Sequence, residues 1–99
     1  MNDIEFEWDP HKNTLNKHAH GVSFEEAQTV FYDENARLIP DIKHSDTEDR
    51  FIILGYSSKA HLLIVCHCYR RNDEVIRLVS ARKADKLETK QYYKFNKGL

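Results

Sequence analysis

Apolar and acidic residues alternate at the start of the chain, Ile4, Phe6 and Trp8 against Glu5 and Glu7, the two-residue period of a half-buried strand. Asp9-Pro10 then offers an N-cap and a proline whose missing N–H is harmless at a first helical position, so a helix is expected to about Ala19, ended by Gly21. Ser23-Phe24-Glu25-Glu26 has the spacing of a capping box, with Val22 and Ala27 placed as a hydrophobic staple. It predicts a second helix whose Ala27, Val30 and Phe31 face the sheet. The strand-like run Arg37 to Ile42 contains Pro40, which fits only an edge or a bulge, and residues 43–49 read as a polar loop. Three β-rich runs follow, Arg50 to Tyr56, Leu62 to Tyr69 and Glu74 to Ser80, joined by short polar turns as in an antiparallel meander. Ala81 to Lys97 lacks proline and glycine and predicts a C-terminal helix. The order predicts one α+β domain over residues 1–99, with two N-terminal helices, an antiparallel sheet of about four strands and a C-terminal helix.

Composition narrows the picture. With 40% hydrophobic and 31% charged residues the chain has the profile of a globular domain. Its longest apolar run, Leu62 to Cys66, is far shorter than the roughly 20 residues that span a bilayer. The acidic N-terminus differs from a secretory signal, so a cytoplasmic protein with reduced Cys66 and Cys68 is expected. The net charge of −1 hides a division: residues 1–49 hold 4 Lys/Arg against 12 Asp/Glu, and residues 50–99 hold 11 against 4. A basic half can face RNA or an acidic protein.

Several side chains are candidates for chemistry. Lys83, Lys86, Lys90, Lys94 and Lys97 recur at helical steps with no acid three or four positions away, forming a stripe suited to phosphates or to an acidic partner, or simply a solvated face. A second stripe, Ala84, Glu88, Tyr92 and Phe95, sets one carboxylate among apolar groups. That placement either raises the Glu88 pKa for proton transfer or pairs Glu88 with Arg82 in a structural bridge. Arg77 alternates with Val75 and Val79, and His67 with Val65 and Tyr69; on a common open face the two could bind a phosphate, and otherwise each is satisfied locally. His67 and its cysteine neighbours point to opposite faces, which argues against zinc, and no cofactor motif or glycine-rich phosphate loop occurs. His11, His18, His20, His44 and His61 are dispersed and read as surface residues.

Taken together, the motifs resemble the BrnT family of toxins. They are Phe6-x-Trp8-Asp9-Pro10-x-Lys12, Asn16, His20-Gly21-Val22-Ser23-Phe24-Glu25-Glu26-Ala27, Val30-Phe31-x-Asp33, His44-Ser45-x-x-Glu48-Asp49-Arg50, Leu54-Gly55-Tyr56-Ser57 and Ile76 to Ala84 with Glu88 and Tyr92. The resemblance implies a RelE-like fold and a metal-independent endoribonuclease held inactive by a BrnA-like antitoxin, whose own DNA-binding part lets the complex repress its operon. It points to His20, Arg50, Arg77, Arg82, Glu88 and Tyr92 as the site, with Glu88, His20 and Tyr92 as candidate acid or base in that order. Ala19 stands where the family pattern usually carries lysine, with Lys17 and His18 close by. The other reading is a non-catalytic binding module or corepressor that acts through its antitoxin. Arg50, Arg77 and Arg82 are expected to converge where the meander meets the last helix, although an up-down-up order would set Arg50 and Arg77 at opposite ends.

Overall fold

The computed structural model describes residues 4–41 and 48–96; residues 43–47 of the expected loop, His44 among them, and also Ile42 and Lys97 lie outside them. Along the chain run β1 (Glu5–Glu7), α1 (Pro10–His20), α2 (Phe24–Ala27) continuing into a 3-10 helix (Gln28–Tyr32), β2 (Arg37–Pro40), β3 (Phe51–Tyr56), β4 (Leu62–Arg70), β5 (Val75–Lys83) and α3 (Lys86–Phe95). The strands form one sheet in the order β1-β5-β4-β3-β2, with β2 to β5 antiparallel and β1 parallel to β5. The sheet is therefore mixed and five-stranded, where a four-stranded antiparallel one was expected. The chain leaves β1 through the helices and returns to its side only at β5, and such a long crossover, unlike a hairpin, permits parallel pairing. Pro40 lies on the edge strand β2, where its missing donor costs no ladder bond.

Local chemistry sets the helices. Asp9 Oδ1 accepts from the His11 N–H at 2.9 Å, and α1 ends at Gly21 in the left-handed region (φ 70°), whose N–H donates to the Lys17 carbonyl. Ser23 Oγ accepts from the Glu26 N–H, but the Glu26 carboxylate does not return to the cap. It is buried and accepts from Ser57 Oγ at 2.6 Å with His61 Nδ1 at 2.8 Å, tying α2 to the β3–β4 turn. The second helix is shorter than expected, because after Ala27 the chain tightens into the 3-10 turn.

Two buried asparagines fix α1. Asn13 accepts from the Phe24 N–H and donates to Glu25. Asn16 Nδ2 donates to the carbonyls of Val22 and Ala81, both at 2.8 Å, and its Oδ1 accepts from the Ala81 N–H at 3.1 Å. Because β1 pairs with β5 only at Val75 to Arg77, the edge of β5 at Ala81 has no strand beside it. The Asn16 amide takes the place of one. Below α1 and α2 the core is built from Val22, Phe24, Ala27 and Val30 against Ile53, Leu63, Val65, Ile76, Leu78 and Ala81.

The C-terminal segment departs most from expectation. Residues 81–83 are strand, with Lys83 still opposite Leu63, and the helix opens at Lys86. Asp85 caps it: its Oδ1 accepts from the Glu88 N–H and Glu88 Oε1 accepts from the Asp85 N–H, a complete capping box. The Asp85-x-x-Glu88 spacing is the signal that places this start. The Ala84 to Phe95 stripe accordingly loses its first member, and Phe95 lies exposed with the Arg37 guanidinium 4.0 Å above its ring.

Gly55 marks a close approach: a Cβ there would lie 2.9 Å from Ala36 Cβ and 3.0 Å from both Asp33 Oδ2 and Val30 Cγ1. Gly55→Ala is expected to lower stability by about 1–3 kcal/mol through overpacking, read as a fall in the urea midpoint with unchanged slope.

Candidate active site

Register decides which side chains leave the helix-covered face. In β4, Leu63, Val65, His67 and Tyr69 share the face of their core partners, and Ile64, Cys66, Cys68 and Arg70 point the other way. In β5 the pairing jumps from Leu78 opposite His67 to Ser80 opposite Cys66, leaving Val79 as an extra residue. This bulge shifts the alternation by one. Arg77 and Arg82 are five positions apart and would face opposite sides in a regular strand; here both stand on the open face.

That face carries a row of arginines matched to carboxylates. Arg70 Nη1 lies 2.9 Å from Glu48, Arg77 Nη1 2.8 Å from Glu7, and Arg82 makes a two-pronged pair with Glu88 at 2.8 and 2.7 Å. A concavity of about 220 Å³ opens among Asp41, Arg50, Cys66, Ser80 and Arg82, with Ile52, Ile64 and Val79 as apolar lining. Arg50 and Arg82 thus line one concavity from opposite sides of β4. Arg50 immediately precedes β3, whose first residue Phe51 pairs with His67, itself opposite Leu78, so Arg50 and Arg77 lie at the same end of the sheet. Arg50 and Arg77 avoid opposite ends because β5 runs on to Lys83, which puts Arg77 near its start. Arg77 nevertheless stands outside the concavity, beside Glu7.

The other expected site residues are placed as follows. Glu88 has its pKa lowered, chiefly by the hydrogen bonds from Arg82, which outweigh partial burial; the bridge, and not a raised pKa, is the outcome. Tyr92 is buried and its hydroxyl donates to Asp33 Oδ2 at 2.8 Å, with burial and that bond both raising its pKa. His20 is exposed at the end of α1 and makes no side-chain hydrogen bond among the described residues. His67 is fully buried against the rings of Phe31, Phe51 and Tyr69, its pKa lowered by burial to about 4, so it shares no face with Arg77 and is a core residue. Lys86, Lys90 and Lys94 lie exposed on α3, whereas Lys83 ends β5 on the face opposite Arg82 and leaves the stripe. Asp41, Cys66 and Ser80 join the concavity without a sequence signal: only the strand register and the bulge bring them there. The Cys66 thiol is pushed up by burial, with Asp41 adding and Arg50 opposing, which keeps it protonated.

α3 crosses the end of this face. Glu88 reaches Arg82 on β5, the Tyr92 ring packs edge-on to Tyr56 of β3 at 5.3 Å, and Phe95 meets Arg37 of β2. Asp33 locks the far end, its Oδ2 accepting from both the Tyr56 N–H and the Tyr92 hydroxyl and its Oδ1 from the Asn35 N–H. Burial opposes its charge, but these three bonds outweigh burial and lower its pKa.

The sequence profile of the ribonuclease toxins called BrnT, of type II toxin–antitoxin systems, matches residues 8–88. The chain belongs to the BrnT family. The match spans Arg50, Arg77, Arg82 and Glu88 and stops short of Tyr92. The structure is similar to the 1.1 Å crystal structure of the Brucella abortus ribonuclease toxin BrnT, with a TM-score of 0.65 and 20% identity over 85% of this chain and 100% of that one. At that identity the likeness carries the BrnT fold alone. Among curated proteins none matches the chain. BrnT membership makes this chain the toxin side of a pair and implies an antitoxin partner.

Two pH effects follow from the geometry. His67 is held neutral in the core, so the unfolded chain binds the extra proton between about pH 6.5 and about 4, and stability falls as pH drops through that window. His67→Phe is expected to remove that part of the acid sensitivity, read as a smaller fall in melting temperature from pH 7 to 5. Glu88 has the depressed pKa of a paired acid, so its contribution is present above the unfolded value near 4.3 and is lost as pH falls. Glu88→Gln should therefore be less stable than the parent at pH 7, with the gap closing towards pH 3 in parallel urea titrations.

Proposed function

We propose that this chain is a metal-independent endoribonuclease toxin of RelE-like type that acts in the cytoplasm, with the concavity of Arg50 and Arg82 as the place where the scissile phosphate sits. The observation that carries the reading is one concavity on the open sheet face lined by both arginines, in a chain belonging to a ribonuclease toxin family. Cleavage without metal proceeds by attack of the ribose 2′-oxygen on phosphorus and departure of the 5′-oxygen, through a phosphorane whose added negative charge needs fixed cations. Guanidinium groups suit it, since they stay charged and present paired N–H donors to phosphate oxygens.

Within this reading Glu88 is a positioning residue. Its two oxygens hold Arg82 by both Nη atoms, and the capping box holds Glu88 in turn. Tyr92 positions α3 through Asp33. Lys86, Lys90 and Lys94 provide a flanking track for the RNA backbone, and Arg77, partly exposed beside Glu7, extends it. A BrnA-like antitoxin neutralises the toxin by covering this basic face, and the complex reaches DNA only through the antitoxin, repressing its own operon.

The test is cleavage of RNA by the purified chain in excess EDTA. Activity is expected to persist, and to fall about 10²-fold or more in Arg50→Ala and Arg82→Ala, with Arg82→Lys recovering only part. Circular dichroism on the same proteins separates loss of chemistry from loss of fold. Folded alanine variants that cleave at the parent rate would remove the arginines from the mechanism. Abolition by chelator with rescue by one metal would replace the mechanism itself. A folded parent chain that binds RNA without cutting it would favour the binding-module alternative. Neutralising Lys86, Lys90 and Lys94 together should flatten the salt dependence of RNA affinity, with a slope reduced by up to about 3.

A further inference from the structure

Beyond α3 from the arginine concavity lies a second hollow, of about 500 Å³, lined by Thr29, Tyr32, Asp33, Tyr56, Ser57 and Ser58. We infer that it is a nucleobase subsite, which admits one RNA base between Tyr32 and Tyr56 and reads its edge with the Asp33 carboxylate. The inference rests on the RNA-cleaving reading for its biological sense, but its chemistry stands on these residues alone.

The walls are aromatic and supported. Tyr32 is 62% exposed at the end of the 3-10 helix, with its ring 6.5 Å from that of Phe6. On the other side the Tyr56 ring is fixed edge-on by Tyr92 and Tyr93, and the Tyr56 and Tyr93 hydroxyls share a hydrogen bond. Buttressed tyrosines on an exposed hollow are what a flat heteroaromatic ring stacks on, since they lose little freedom on binding. The base of the hollow is likewise preset: Ser57 Oγ donates to Glu26, and the Ser58 N–H donates to Thr29 Oγ1 at 2.8 Å.

Asp33 supplies the discrimination. A carboxylate offers about four acceptor positions, and three are taken by the Asn35 N–H, the Tyr56 N–H and the Tyr92 hydroxyl, which leaves one on Oδ1. Those same bonds keep the group ionised. Guanine and uracil carry a ring N–H at the centre of the Watson–Crick edge, whereas adenine and cytosine can donate there only through an exocyclic amine, with a bare ring nitrogen beside it that a carboxylate repels. The site therefore favours guanine or uracil. Its distance from the concavity suits a neighbouring nucleotide: Tyr56 and Arg82 stand on the same sheet face, two strands apart and two residues out of level. That is roughly 10 Å across and about 7 Å along the sheet.

Titration of the full chain with guanosine, uridine, adenosine and cytidine, followed by the backbone amide resonances of Tyr32, Asp33 and Tyr56 to Ser58, tests this. Guanosine and uridine should shift these amides and bind at least several-fold more tightly than adenosine and cytidine. Tyr32→Ala, an exposed position that the fold tolerates, should weaken both about tenfold. Because nucleosides carry no phosphate, Arg82→Ala should leave their binding unchanged, so a failure of the cleavage mechanism and a failure of this subsite give different results. No shift at these amides, equal affinity for all four nucleosides, or unaltered binding in Tyr32→Ala would each overturn the inference.

Discussion

One extra residue in the last strand governs how this molecule presents its charge. If Val79 were paired regularly, Arg82 would turn into the helix-covered face, Ala81 would leave the core, and Asn16 would lose the backbone groups it binds. A slip of one position along a strand exchanges every side chain after it between faces, so the bulge and the core specify each other. The buried Ala81, flanked by Leu78 on one side of the bulge and gripped by the Asn16 amide on its edge, fixes the shift. The arginine concavity is a by-product of that fit: Val79 and Ser80 line it together with Arg82 and Arg50.

The division of charge along the sequence finds a second meaning in three dimensions. Acids of the first half are laid against bases of the second: Glu5 on Arg71, Glu7 on Arg77, Glu48 on Arg70 and Glu26 on His61. Each exposed pair is worth little alone, but two of them, Glu5 on Arg71 and Glu7 on Arg77, lie along the same edge where β1 joins the sheet. Arg82 finds its acid in its own half, on the helix that directly follows its strand. Arg82 is thus held by a local partner, independent of the long-range matching between the two halves.

Elements with strong short-range signals were legible in the sequence. The Asp9-Pro10 start and Gly21 stop of α1, the edge role forced on β2 by Pro40 and the three meander strands all appear within a few residues of their expected bounds. The parallel pairing of β1 was not, because nothing near Glu5 announces a partner at Val75. The end of β5 was missed because Ala81-Arg82-Lys83 is composed of good helix formers held in strand by pairing to β4, a tertiary preference overriding a local one. For the site, the arginines and Glu88 could be named from the family motif, but their grouping depended on the bulge. Asp41, Ser80 and the Asp33 hub carry no motif that distinguishes them from ordinary polar residues. His67, singled out by its place between two cysteines, is an aromatic-packed core residue.

The parallel pairing of Glu5 to Glu7 with Val75 to Arg77 bears on the order in which the protein can be made. A chain emerging from a ribosome delivers β1 first and its only neighbour in the sheet last but one, across some seventy intervening residues. Until β5 is out, Phe6 and Trp8 have no strand to lie against and Asn16 has no Ala81 to hold. Non-local closure of this kind is slow, and it comes after the rest of the meander is available. A nascent chain built this way holds neither Arg77 nor Arg82 in its final setting while most of it is still being translated, so the open face acquires its row of arginines last.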